Sequence, residues 1–315
     1  MKEFQLIREL TRSLPANATV VVGAGDDCAV LDMGSPHHYL LFKTDAVVEG
    51  IHFYPDTPPE KIGRKALARC LSDIAAMAGA PTSALVTLAL PASFDAGRLR
   101  RIYDGMNELA VRHSVAIVGG ETTTNPGGFL ISIALLGTVD KKKVALRSGA
   151  RSGDAIFVTG DLGGSLAGKH LEFEPRLEEA RWLADRGVIH SMLDVSDGLA
   201  GDLRHLLREG GLGAELLASA IPISRAAKNQ GRSGSAAKPP LLAALSDGED
   251  FELLFTVAAR EAIPLLDAWK LQFPALRLSC IGKITSAPGL SIRDKRGLRQ
   301  LKAEGYEHFA PHGET

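Results

Sequence analysis

Residues 84–139 read ALVTLALPASFDAGRLRRIYDGMNELAVRHSVAIVGGETTTNPGGFLISIALLGTV. The apolar runs at 84–90, 116–118 and 129–139 read as strands, and 95–113 between them as a helix. A doubly wound domain would alternate strand and helix throughout. Here several strands are grouped together, and an α+β sheet is the expected class. Before this stretch, Phe4, Ile7, Leu10 and Leu14 share one face of a helix over 3–14. Short strands are expected at 19–22, 29–31 and 39–43. A helix over 59–77 is opened by Pro59 and closed near Gly79.

After it, residues 141–153 are polar, basic and glycine-bearing, a candidate domain boundary. The second half restarts with strands expected at 155–159, 192–195, 214–217, 251–257 and 278–281. Helices are expected from about 164 and at 198–209, 241–245 and 262–270. Residues 229–239 (NQGRSGSAAKP) read as a mobile surface loop.

The composition sets the limits. With 315 residues, 45% hydrophobic content and 23% charge, the chain has the make-up of a globular protein of one large or two ordinary domains. A net charge of −1 argues against bulk nucleic-acid binding, which needs a basic surface. Cys28, Cys70 and Cys280 are far apart and form no CxxC pair. That pattern suits neither a zinc knuckle nor a disulfide framework and fits a reducing compartment. The N-terminus reads as an amphipathic helix rather than a signal peptide, and no stretch has the apolar length of a membrane span. A cytoplasmic enzyme without membrane partners is the expectation.

Acidic residues recur beside glycine at the ends of apolar runs. Gly25-Asp26-Asp27 follows Val20-Val21-Val22 and reads as an Asx turn or as a metal-holding pair. Thr44-Asp45 follows the run 39–43, with His52 seven residues on. Asp73 lies in an apolar helix, where it needs a cation if buried and nothing if exposed. Val118-Gly119-Gly120-Glu121 reads as a strand ending in a glycine turn, able to bring backbone N–H groups to an anion, or as a plain tight turn. Asp194-Val195-Ser196-Asp197-Gly198 ends a strand and opens a helix. Capping explains one of its carboxylates and leaves the other spare.

Carboxylates that converge repel one another unless cations lie between them, and Mg²⁺ is the natural choice for an all-oxygen set. Gly163 to His170 (GGSLAGKH) nearly spells a P-loop but ends in His where a hydroxyl is required; it reads as close helix packing, with Lys169 facing solvent. No hydrolase elbow, zinc-protease or protein-kinase motif is present. A metal-rich site without a nucleophile suits phosphoryl transfer, where positioning and charge neutralisation supply most of the catalysis.

Taken in order, Gly25-Asp26-Asp27, Thr44-Asp45, Gly50-Ile51-His52-Phe53, Leu71-Ser72-Asp73-Ile74, Gly119-Gly120-Glu121-Thr122, Arg147-Ser148-Gly149, Asp194-Val195-Ser196-Asp197-Gly198, Gly248-Glu249-Asp250-Phe251 and Gly305-Tyr306-Glu307-His308-Phe309 resemble the thiamine-monophosphate kinases. These belong to the aminoimidazole-ribonucleotide-synthetase-like superfamily. The resemblance runs from about residue 3 to 310. It implies ATP-dependent phosphorylation of thiamine monophosphate to thiamine diphosphate by direct in-line transfer. It also implies two α/β domains, 1–148 and 149–315, whose N-terminal sheets pair in a homodimer with the active site near the interface.

On the same resemblance, Asp27, Thr44, Asp45, Asp73, Glu121, Asp194 and Asp197 would hold several Mg²⁺ ions. Tyr103, Gly120, Glu121, Arg147 and Ser196 would contact ATP, and His52, Glu249 and Tyr306 thiamine monophosphate. No residue is assigned as acid, base or nucleophile. Three departures stand out: Glu121 where the family usually has Asp, Lys43 where a small hydroxyl residue is common, and a shorter segment between Gly168 and Asp194. The alternative is a superfamily relative that activates an oxygen with ATP, such as a ribonucleotide-amidine cyclase or a hydrogenase-maturation dehydratase.

Overall fold

A computed structural model describes residues 3–208, 210–231 and 238–301 of the chain. The N-terminal part contains α1 (Glu3–Thr11), β1 (Val20–Val22), β2 (Ala29–Leu31), β3 (His38–Val48), α2 (Pro59–Ala76), β4 (Ala80–Leu90), α3 (Ala96–Arg112), β5 (Ala116–Thr124) and β6 (Leu130–Asp140). Its six strands form one mixed sheet in the order β1-β2-β3-β6-β4-β5, with β4 and β5 parallel and the other pairs antiparallel. The grouping of strands in 84–139 thus has its expected consequence, an α+β arrangement.

Strict alternation in β6 buries Ile131, Ile133 and Leu135 on one face. Val86 and Leu88 of β4 join them, and α2 and α3 cover that face. The opposite face has no covering layer among the described residues and leaves Phe42, Leu85 and Val118 exposed. Helix α2 is buried along most of its length because it packs on β3, β6 and α3 and also on elements of the second half. Its approach to α3 depends on two glycines. A Cβ on Gly63 would lie 1.8 Å from the Ile102 carbonyl oxygen, and one on Gly105 1.9 Å from that of Glu60.

The second half contains β7 (Ala155–Thr159), α4 (Lys169–Glu172), α5 (Leu177–Asp185), β8 (Ile189–Asp194), α6 (Leu199–Arg208), β9 (Gly213–Leu217), α7 (Arg225–Gln230), α8 (Pro240–Ser246), β10 (Leu253–Val257), α9 (Ala262–Gln272), β11 (Leu278–Thr285), β12 (Gly289–Asp294) and β13 (Gly297–Gln300). Its seven strands run in the order β13-β12-β9-β11-β7-β10-β8. Strand β8 is therefore an edge, and its C-terminal Asp194 is free to face α2.

Several boundaries differ from the sequence expectations. Strand β3 continues through Thr44 and Asp45, because antiparallel pairing with β6 holds it to Val48. Strand β5 does not end at Gly119-Gly120. A bulge at this point absorbs a residue, and pairing with β4 resumes through Thr124. The helix expected from 164 is broken into a short 3-10 turn, α4 and α5, interrupted at Gly168 (φ 135°) and Pro175. The β12–β13 hairpin was not anticipated, although Leu290 and Ile292 alternate as buried residues. Helix α7 takes the first residues of the expected loop 229–239, and 232–237 lie outside the described residues.

One buried carboxyl of the second half has a measurable consequence. Burial raises Asp250 to about 7, although Gly163 N–H donates to it and Lys169 lies nearby. Between the ordinary 3.8 and that value the folded chain holds a proton that the unfolded chain releases. This group's share of stability is therefore full at low pH and is lost as pH rises through about 7. Replacing Asp250 with Asn removes that loss. Between pH 5 and 8 the melting temperature of the variant is expected to fall less than that of the parent.

Candidate active site

Three carboxylates from distant parts of the chain converge between the two sheets. Asp27 comes from the β1–β2 loop, Asp73 from α2 and Asp194 from the end of β8, and one oxygen of each lies within 4.8 Å of the others. All three are buried. Burial pushes Asp73 well above the usual carboxylate range and Asp194 up to about 7. The neighbouring Asp26 rises to about 6, first through burial and then through the charge of Asp27.

The doublet Asp26-Asp27 divides its tasks. Asp26 accepts the backbone N–H groups of Asp27 and Arg147, the Asx-type role, while Asp27 enters the cluster.

Basic side chains answer part of this charge. Arg147 donates through Nη2 to Asp27 Oδ1 at 2.5 Å, Lys43 Nζ lies 2.9 Å from Asp73 Oδ1, and Arg69 Nε lies 3.3 Å from Asp45 Oδ2. Asp194 instead accepts the hydroxyl of Ser72 at 2.5 Å, a bond that ties α2 to β8. Asp27 Oδ2 is buried with no hydrogen-bond partner among the described residues. Left so, it would cost about 1–3 kcal/mol or more. A hard divalent ion taken up by oxygen donors would satisfy it. The donor set therefore fits the Mg²⁺ inferred from the sequence.

Beside the cluster, His52, Arg69, Ser196, Asp197, Glu249 and Phe251 line a pocket. His52 Nδ1 accepts the Val48 N–H. The segment before β10 is tightly kinked, with Glu249 at φ 53° and Phe251 at φ 51°, values that non-glycine residues seldom adopt. Backbone bonds from Glu249 N to Ser196 O and from Phe251 N to Val195 O fix the kink against the end of β8. It turns Glu249 into the pocket, where Oε2 meets Lys65 Nζ at 2.8 Å, while Asp250 is buried behind.

Not every expected residue joins this assembly. Alternation along β3 sends Lys43 and Asp45 toward α2 and Thr44 to the uncovered face, where its Oγ1 lies 3.4 Å from Ser132 Oγ. Glu121 pairs with Thr87 in register and shares that uncovered face. The glycine turn read at 119–120 is strand; a Cβ on Gly120 would lie 1.8 Å from the Val86 carbonyl oxygen. Tyr103, on α3, is partly buried against the hydrophobic core. Ser196 and Asp197 follow β8, and Asp197 N–H donates to the buried Asp202. Tyr306 and the segment 305–309 lie outside the described residues.

Comparison with known proteins connects this geometry to a family. The model "AIR synthase related protein, N-terminal domain" matches residues 25–139, and the corresponding C-terminal-domain model matches residues 151–295. A thiamine-monophosphate kinase of Rhodopirellula baltica is 41% identical over 320 residues, covering 98% of this chain and 96% of the relative. The chain belongs to the thiamine-monophosphate kinases of the AIR-synthase-related family.

A solved structure of AaThiL complexed with AMPPCP and TMP superimposes with a TM-score of 0.81 at 28% identity, covering 98% of this chain and 97% of that one. A HypE–HypF complex aligns with a TM-score of 0.76 at 19% identity, a likeness of fold alone.

Within this kinase family frame, three charged residues went unread in the sequence and a fourth, Lys169, was misread. Lys65 and Arg69 recur at helical spacing on α2 with Ser72 and Asp73, a stripe of polar groups among the buried residues of the helix. Asp202, at the start of α6, was hidden in a run that looks like ordinary amphipathic helix. Lys169 does not face solvent; it donates to Asp161 O and to the buried Glu252 at 2.8 Å.

Proposed function

We propose that the chain transfers the γ-phosphoryl group of ATP to thiamine monophosphate, giving ADP and thiamine diphosphate. The observation that carries this reading is the convergence of Asp27, Asp73 and Asp194 beside a pocket lined by His52 and Glu249, in a chain of this family. Asp27, Asp73 and Asp194 would hold Mg²⁺, with Asp45 and Asp197 at the margins of the set. The ion, when bound, supplies charge neutralisation for phosphate oxygens. Arg147 and Ser196 border the cluster on the side assigned to ATP. His52 and Glu249 are assigned to thiamine monophosphate, with Tyr306 supplied from the C-terminal segment.

The acceptor is a phosphate oxygen, anionic at neutral pH, so no strong general base is needed. This agrees with the site as built. Of its carboxyls, Asp27, Asp45 and Asp73 are paired with basic side chains, and among the described residues its thiols, Cys28 and Cys70, are driven away from thiolate by burial. Direct in-line transfer is the mechanism such a site supports, through positioning and electrostatics.

The uncovered sheet face suits a homodimer. Phe42, Leu85 and Val118 stand exposed on it, and a second copy would bury them. Thr44 and Glu121 share that face, so their assigned parts in nucleotide and metal binding would run through the dimer. The division at 148/149 would then separate a dimerising, ATP- and metal-binding N-terminal domain from a C-terminal α/β domain. Three free thiols fit a cytoplasmic setting. Among the described residues no helix is long and apolar enough to cross a membrane.

The activity is tested by incubating the protein with ATP, Mg²⁺ and thiamine monophosphate and following both products. One ADP per thiamine diphosphate is expected; ADP without thiamine diphosphate would contradict the acceptor. A second result tests the acceptor pocket. Tyr306→Ala is expected to raise KM for thiamine monophosphate more than KM for ATP. Equal effects on both would count against Tyr306 as an acceptor contact.

A further inference from the structure

Lys43 stands apart from the other basic groups of the site. Strand alternation aims it, with Asp45, at α2, and its ammonium lies 2.9 Å from Asp73 Oδ1, one of the three converging carboxylates. Its side chain is largely withdrawn from solvent, so this is a desolvated ion pair rather than a surface one. An ammonium offers three donors and no acceptor, so the oxygen it holds is withheld from a metal.

The surrounding charges show what this does. Asp27 is answered by Arg147, Asp73 by Lys43 and Asp45 by Arg69, while among the described residues the side-chain contact of Asp194 is the hydroxyl of Ser72. Asp27 Oδ2, buried and unpartnered, marks where a cation is still called for. On the Asp73 Oδ1 side the demand is already met.

We propose that the Lys43 ammonium is a built-in counter-ion filling the place of one divalent cation at the acidic cluster. The exchangeable ion is thereby confined to the side of Asp27, Asp194 and the second oxygen of Asp73. This rests on the metal-dependent reading above but concerns ion binding alone, so it can be tested without turnover. The chain accordingly holds one fewer divalent ion than the same chain with a hydroxyl at 43. Its folded state also depends less on divalent ions, because one positive charge is covalently tethered.

The test is Mn²⁺ binding to the full-length protein without nucleotide, with free Mn²⁺ read by electron paramagnetic resonance. One high-affinity ion is expected for the parent, two for Lys43→Ser and one for Lys43→Arg, which keeps the charge. In EDTA, Lys43→Ser is expected to melt below the parent and to regain more stability when Mn²⁺ is added. Should Lys43→Ser fail to fold without metal, Lys43→Gln keeps a polar side chain without the charge and is expected to bind the second ion as well.

Two ions in the parent, or equal counts in the parent and the neutral variants, would overturn the proposal. A protein that gives the expected counts but makes no thiamine diphosphate would refute the kinase reading and leave the role of Lys43 standing.

Discussion

Asp194→Asn is expected to abolish turnover while leaving the folded chain at least as stable as the parent in the absence of divalent ions. Among the described residues, Asp194 is the one member of the triad with no ion pair; it accepts a hydrogen bond from Ser72 and sits beside the charge of Asp27. Burial and that charge raise it to about 7, so the ionised form is costly until a cation arrives. Asparagine has the same shape and an oxygen that can still accept the Ser72 hydroxyl, and it carries no charge to desolvate. The stability cost is removed together with the ligand. The rate is expected to fall on the order of 10³-fold, the scale seen when one preorganised electrostatic contact is lost. The melting temperature gained on adding Mg²⁺ should shrink or vanish. A variant that keeps both its activity and its Mg²⁺-dependent stabilisation would remove Asp194 from the metal set.

Lys65→Met is expected to have the largest effect on stability. Lys65 is fully buried, and its ammonium donates to His52 O at 2.7 Å and to Glu249 Oε2 at 2.8 Å. Burial lowers it to about 8 even with Glu249 beside it. Methionine fills similar volume but leaves the carboxylate of Glu249 facing, among the described residues, Arg69 at 3.9 Å. Breaking one side of a buried ion pair costs about 3–5 kcal/mol, and the partial exposure of Glu249 places this case at the lower end. A loss of roughly 6 °C or more in melting temperature follows. The double variant Lys65→Met, Glu249→Gln should recover much of it, because the stranded charge is gone. If the double variant is no more stable than Lys65→Met alone, the loss comes from packing and not from charge.

The framework of the fold was legible where apolar periodicity is strong. The strand at 84–90, the long strand after Phe129 and the helix from Pro59 each appear within a few residues of their expected limits. Ends were less legible, because cross-strand pairing carries β3 and β5 past the residues where their apolar runs stop. The acidic positions of the cluster could be read from carboxylates set in apolar surroundings, of which Asp73 is the plainest case. What faces them could not. That Thr44 turns away while Lys43 turns in depends on which strand face meets α2, a matter of register that local sequence does not state. Lys65 and Arg69 were hidden for a related reason: a charged residue on a helix is ordinarily a solvated one, and only tertiary packing makes it otherwise.

Direct transfer is the centre of the account, and one measurement tests it most closely. The protein is mixed in excess with ATP labelled in the γ-phosphoryl group, Mg²⁺ and thiamine monophosphate, and quenched during a single turnover. The account predicts that the label passes from ATP to the terminal phosphate of thiamine diphosphate at one rate, with none bound to protein at any time. Label trapped on the protein, or released as free phosphate while thiamine monophosphate stays unchanged, would contradict it.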